Sequence, residues 1–167
     1  MMHTAADYIK ILRLKPHPEG GFYRQNYKSL EQIPQNALPS RFKTDLSFST
    51  AIYYLLESKD FSAFHKIKSD EIWHFYAGSP LIIYCIDLLG NSHELELGPD
   101  ILNGQQLQII IKAGHWFAAR VKEPDSFMLC GCTVSPGFEF HDFTLADREE
   151  LLKAFPQHAR NIVALTR

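Results

Sequence analysis

HKIKSDEIWHFYAG, residues 65–78, decides how this chain is built. Two short extended runs flank a turn at Ser69 and Asp70. Successive side chains of a strand point to opposite faces, so His65 and Ile67 share one face of the first run. In the second run Glu71, Trp73 and Phe75 share a face, while Ile72, His74 and Tyr76 share the other. If Glu71 looks inward with His65, then His74 looks away and reads as a sheet-packing or interface residue. An imidazole with an ordinary pKa of about 6.5 beside a carboxyl group is a candidate proton acceptor at neutral pH.

The surroundings are mostly strand. SFSTAIYYLL (47–56), LQIIIKAG (107–114), FAARV (117–121) and FMLCGCTVSPGFEF (127–140) are rich in aromatic and β-branched residues. LIIYCIDLL (81–89) meets Gly90-Asn91-Ser92, and His93 to Leu97 then alternates, which predicts a hairpin. Residues 4–14 predict a short amphipathic helix, with Thr4 and Asp7 at capping-box spacing and Pro16 as its stop. A second helix is predicted to begin at Thr144, with Asp147 completing a similar box and Pro156 ending it. Residues 28–45 are polar, hold Pro34 and Pro39, and read as a long loop of the kind that forms lids or binding elements. Many short strands with helices only near the ends predict an all-β sandwich or barrel, in one domain spanning 1–167.

Three further segments supply candidate site residues. In KAGHWF (112–117), His115 and Phe117 share a face if the segment is extended, and His115 then reaches the interior from its mouth; the alternative is a surface histidine beside a turn. In HPEGGFYR (17–24), paired glycines permit unusual backbone angles and Arg24 offers a planar fork to an anionic group, or a salt bridge to Glu19. Tyr23, Tyr53, Tyr54, Tyr76 and Tyr84 are the supply of phenols, and parity does not choose among them. Glu139 either lines the interior as a second acid or sits on a solvated face.

The bulk numbers exclude several classes. The 167 residues are 46% apolar and 22% charged with a net charge of −2, which is globular and lacks the basic field that nucleic acid requires. No apolar run approaches the ~20 residues of a bilayer span, and no secretory signal opens the chain. Cys85, Cys130 and Cys132 form no CxxC pair and read as reduced core thiols of a cytoplasmic protein. Dinucleotide, P-loop, serine-hydrolase and HExxH signatures are absent.

HPEGGFYR, STAIYYLL, the segment from His65 to Gly78, AGHWFAA and GCTVSPGFEFHDF, five blocks in order, closely resemble the cupin-5 family of small single-domain cupins over roughly residues 5–155. The resemblance implies a double-stranded β-helix, the jelly-roll cupin barrel, with short N- and C-terminal helices, a small-molecule pocket inside it and a homodimer. Against the usual cupin metal motifs, His65, Glu71 and Gly78 fall on register, Ile67 stands where a second histidine belongs, and Phe117 stands where the histidine of the second motif belongs. No cofactor is therefore expected; the alternative is a divalent transition metal held by His65, Glu71 and His115 as a third ligand. The family is similar in shape to metal-independent dTDP-sugar epimerases. By the family resemblance His65 and Glu71 are the residues expected first in the pocket, as the catalytic pair of an isomerase or epimerase on a sugar-like or keto compound; the residue readings above add Tyr23, Arg24, Trp73, His115 and Phe117 around the substrate. A metal-dependent oxygenase, lyase or isomerase and a non-catalytic ligand-binding cupin are the competing functions.

Overall fold

The computed structural model describes residues 3–167. In chain order the elements are α1 (Ala5–Ile11), β1 (Lys15–Pro16), β2 (Phe22–Lys28), β3 (Gln32–Ile33), β4 (Leu46–Ser47), β5 (Thr50–Glu57) and β6 (Phe61–Ile67). There follow β7 (Asp70–Gly78), β8 (Leu81–Ile86), β9 (Ser92–Leu97), β10 (Gln108–Ile111), β11 (Trp116–Val121), β12 (Phe127–Ser135), β13 (Phe143–Leu145), α2 (Arg148–Ala154) and α3 (Ala159–Ala164). One sheet has the order β1-β2-β5-β12-β7-β10 and the facing sheet β13-β6-β11-β8-β9, with β3-β4 as a small separate pair. Every ladder is antiparallel, and the two sheets form a cupin jelly roll.

The alternation that predicts the strands also sorts the core. Trp73, Cys130, Cys132 and Tyr54 of the six-stranded sheet point inward and meet Phe117, Ile83 and Leu81 of the other sheet. Residues of opposite parity in the five-stranded sheet, such as Phe64, Tyr84 and Ala118, point outward and are covered by α2 and α3. The outer face of the six-stranded sheet is covered at one end by α1, where Tyr8, Ile9 and Leu12 pack on Leu55 and Leu129. No helix among the described residues is long and apolar enough to cross a membrane.

The predicted hairpin is present, with Leu81 to Ile86 paired on Ser92 to Leu97. Thr4 caps α1 with the predicted box. The second helix starts later than predicted: Thr144 is a strand residue whose backbone pairs with Lys66, and Asp147 is the cap, accepting from the Glu150 N–H at 3.0 Å. A sheet ladder has claimed the backbone that the capping box needed. The predicted loop at 28–45 is more ordered than its composition suggests. It holds β3 and a 3-10 turn at Gln35–Ala37, and it buries Phe42 completely.

Candidate functional site

A cavity of ≈ 320 Å³ lies between the sheets, bordered by β1, β2, β5, β7 and β12 on one side and by His65 and Ile67 of β6 on the other. His65 is only 2% exposed. Its Nδ1 lies 2.7 Å from the Ala63 carbonyl oxygen, an acceptor only, so this nitrogen carries a proton and donates. Its Nε2 faces Glu19 Oε2 at 3.0 Å. Burial pushes the Glu19 carboxyl up and the His65 imidazole down, the latter to about 4. Both shifts disfavour charge and so favour a neutral contact, with Glu19 Oε2–H as the donor to His65 Nε2. Glu19 Oε1 accepts from Ser62 Oγ at 2.9 Å, which satisfies the rest of the carboxyl group.

Glu19 reaches this position through the glycine pair. Gly20 and Gly21 hold φ of 120° and 66°, and a Cβ on Gly20 would stand 2.1 Å from the Phe61 carbonyl oxygen. The Ala63 N–H donates to the Glu19 carbonyl at 2.8 Å, and Tyr54 Oη donates to the Gly20 carbonyl at 3.0 Å. The turn is thereby clamped to both sheets. The same turn delivers His17 to the cavity wall. His17 Nδ1 accepts from the Glu19 backbone N–H at 3.3 Å, and burial lowers the imidazole's pKa. The ring is therefore neutral near pH 7 with its proton on Nε2. Tyr23 meets its edge at a centroid distance of 4.6 Å.

Glu71 borders the cavity from β7. Burial pushes its carboxyl up to about 8, and the nearby Glu19 carboxyl acts in the same direction. Beside it, the Trp73 indole is 1% exposed and its Nε1–H has no hydrogen-bond partner of good geometry, although it approaches the Glu71 carboxyl. A buried donor without an acceptor costs roughly 1–3 kcal/mol; Nε1 is closed to the cavity, so the Glu71 carboxyl is the acceptor within its reach. In chemical terms the site joins a carboxyl group able to change protonation near neutral pH, an unpartnered N–H donor and a neutral imidazole, all within aromatic walls.

A family model described as Cupin superfamily (DUF985), Cupin_5, matches residues 6–146. The chain belongs to the Cupin_5 family. A crystal structure of protein SO0799 from Shewanella oneidensis is 39% identical, with a TM-score of 0.89 and 99% of each chain covered. A hypothetical protein from Leishmania major is 28% identical, with a TM-score of 0.90 over 98% of this chain and 99% of its own. Uncharacterized protein YML079W of Saccharomyces cerevisiae is 27% identical over 157 residues, 87% of this chain and 76% of the yeast chain. Oxalate decarboxylase from Bacillus subtilis, at 13% identity and a TM-score of 0.54, covers 90% of this chain and 36% of its own, and shares the fold alone.

In this Cupin_5 chain, His65, Glu71, Trp73 and Tyr23 all border the cavity. Three expectations need correction. Arg24 borders the cavity, but its strand partner is the outward-facing Tyr53, and its guanidinium donates to the Leu12 carbonyl at 3.1 Å; it makes no salt bridge to Glu19. His115 is not among the lining residues. Gly114, at φ 80°, ends the extended geometry, and the His115 N–H closes a turn onto the Lys112 carbonyl; the ring falls on the face that Phe117 and Cys85 share, but apart from the cavity. His115 Nδ1 lies instead 3.6 Å from Cys85 Sγ. Phe117 is fully buried behind the wall, with its ring 4.0 Å from that of His65. Glu139 sits on a solvated face, paired with Lys28. Of the five tyrosines named as the phenol supply, Tyr23 and Tyr54 border the cavity. Glu19 and His17 were not expected as site residues.

The side chains present do not fit a cupin metal shell. Ile67 and Phe117 replace two imidazoles, and both nitrogens of His65 are already engaged. Among the described residues no three His, Cys, Asp or Glu side chains converge as ligands.

Proposed function

We propose that this cupin is an isomerase or epimerase acting on a small keto or sugar-like compound, with Glu71 as the group that moves the proton. The observation that carries this reading is a buried carboxyl group held at about 8 at the wall of a ligand-sized cavity, next to an unpartnered N–H. A general base works best with a pKa close to the working pH. In the proposed step the Glu71 carboxylate takes the proton from the carbon next to a carbonyl, and the electron pair moves onto the carbonyl oxygen. The neutral His17 Nε2–H stabilises that oxygen, in the way that a neutral imidazole serves as electrophile beside a glutamate base elsewhere, while Trp73 Nε1–H favours the Glu71 carboxylate. Return of the proton to the former carbonyl carbon, with the proton of the neighbouring hydroxyl passing to the former carbonyl oxygen, gives the isomer. Inversion at the original carbon requires a second proton donor, and Tyr23 is the bordering phenol for that role, since the Tyr54 hydroxyl is committed to the Gly20 carbonyl. His65 has no free nitrogen and acts through Glu19 as a positioning residue.

The test is hydrogen exchange in D₂O with a panel of aldoses, ketoses and sugar acids, followed by proton NMR. Enzyme-dependent loss of the proton next to the carbonyl in at least one compound is expected. Binding of panel members without exchange in any of them removes catalysis and leaves a ligand-binding cupin.

A homodimer and a cytoplasmic location belong to the same reading. The family resemblance supports the dimer, as do Tyr76 and Ile110, which are 52% and 51% exposed on the outer face of the six-stranded sheet. Three buried free cysteines support a reducing compartment. Light scattering is expected to give twice the 19.2 kDa chain mass, and a mass of one chain refutes the dimer.

A further inference from the structure

We propose that the cavity's ligand is an anion of monosaccharide size, whose carboxylate or phosphate group meets Lys15 at the mouth while its ring packs against Tyr23 and His17. This inference takes its location from the function proposed above, but it concerns recognition rather than proton transfer.

Three observations converge on it. First, the permanently charged side chains bordering the cavity are both cations, Lys15 and Arg24. Lys15 pairs across the β1-β2 ladder with Tyr23 and shares its inward face, with Nζ 5.0 Å from the centre of the phenol ring. The ion pairs among the described residues leave Lys15 unused. Although the Arg24 guanidinium is turned to the other face of the sheet, its charge adds to the positive potential at this edge. Second, the interior offers little negative charge to oppose an anion, because burial displaces the Glu19 and Glu71 carboxyls toward their uncharged forms. Third, ≈ 320 Å³ is space for a single sugar ring with one substituent. Ligand pockets span roughly 300–1,000 Å³, and a nucleotide sugar belongs to the larger part of that range. The aromatic edges of Tyr23 and His17 suit the C–H faces of such a ring.

The test is calorimetric titration of the whole protein with probes that share a ring and differ in charge: glucuronate, glucose 6-phosphate, glucose and glucosamine, with UDP-glucose as the size control. At least one of the two anions is expected to bind about tenfold or more tighter than glucose, as a charge-assisted contact implies. Glucosamine is expected to be the weakest ring, and UDP-glucose weaker than glucose 6-phosphate. Whether glucuronate or glucose 6-phosphate leads identifies the anionic group as carboxylate or phosphate. In Lys15→Gln, an exposed position, the anion preference collapses to the glucose level while glucose itself is unchanged. Equal affinities across the charge series, a preference that survives Lys15→Gln, or failure of all four rings to bind each overturn the inference. Deuterium exchange with no charge preference removes this inference and leaves the isomerase intact. Charge preference without exchange does the reverse.

Discussion

Glu71→Gln abolishes exchange catalysed by this cupin, with a fall of about 10³-fold, the middle of the range for loss of a positioned base. Ligand affinity changes little, because glutamine keeps the shape of the side chain and one acceptor oxygen. The pH profile carries more information than the loss itself. The active form of a base is the carboxylate, and burial holds Glu71 at about 8. The wild-type rate therefore rises with pH through neutrality and levels off above about 8. A profile that is already flat at pH 6 assigns the proton to another group. Stability moves the opposite way. The unfolded chain ionises this carboxyl near its ordinary value of 4.5, while the folded chain keeps the proton up to about 8. Between those values the folded state binds more protons, so stability falls as pH rises across that window. Glu71→Gln removes this slope, and urea unfolding at pH 5 and pH 8 measures it. The variant is expected to gain most over wild type at pH 8, which separates loss of a base from general damage to the barrel.

The barrel was legible because its signals are local. Parity within residues 65–78 placed Glu71 and Trp73 on the inner face of β7 and His74 on the outer one, where it meets Thr133 and Gln108. Turn chemistry at Gly90-Asn91-Ser92 fixed the hairpin in the same way. The site was only half legible, because its other half is supplied by a turn far away in the chain. Nothing in the HPEGG sequence states that its backbone will bond to Ala63 and so carry Glu19 onto His65. The available signal was the close spacing of His17 and Glu19 before two glycines, which marks a turn that has to pass close to another backbone. Parity puts His115 on the face of Phe117, and its contact with Cys85 agrees, but parity does not say how far along the barrel a side chain lies, and His115 falls outside the cavity. Arg24 is read from its charge alone, without a face, and it stands opposite the outward Tyr53 rather than Tyr54.

The second large effect concerns where the proton of the Glu19–His65 contact resides. With His65 Nδ1–H committed to the Ala63 carbonyl, a proton between Nε2 and Oε2 belongs either to the acid, giving a neutral pair, or to the imidazole, giving an ion pair. Burial favours the neutral pair by acting on both partners. Glu19→Gln is then a mild change: the amide N–H replaces the acid O–H as donor to Nε2, and the amide oxygen still accepts from Ser62. A cost below about 1 kcal/mol is expected. Glu19→Ala leaves a ring nitrogen and a hydroxyl without partners and opens a void, and a cost of about 3 kcal/mol or more is expected. An ion pair reverses the first result, since glutamine then strands a buried imidazolium at about 3–5 kcal/mol. The pH dependence gives an independent sign. A His65 held at about 4 in the fold, against 6.5 when free, makes its contribution above 6.5 and loses it as pH falls toward 4. A His65 raised by an ion pair loses its contribution as pH rises instead. Urea unfolding of wild type, Glu19→Gln and Glu19→Ala from pH 4 to pH 7 therefore decides the matter twice: equal costs for Gln and Ala, or a wild-type His65 contribution that grows on acidification, place the proton on the imidazole.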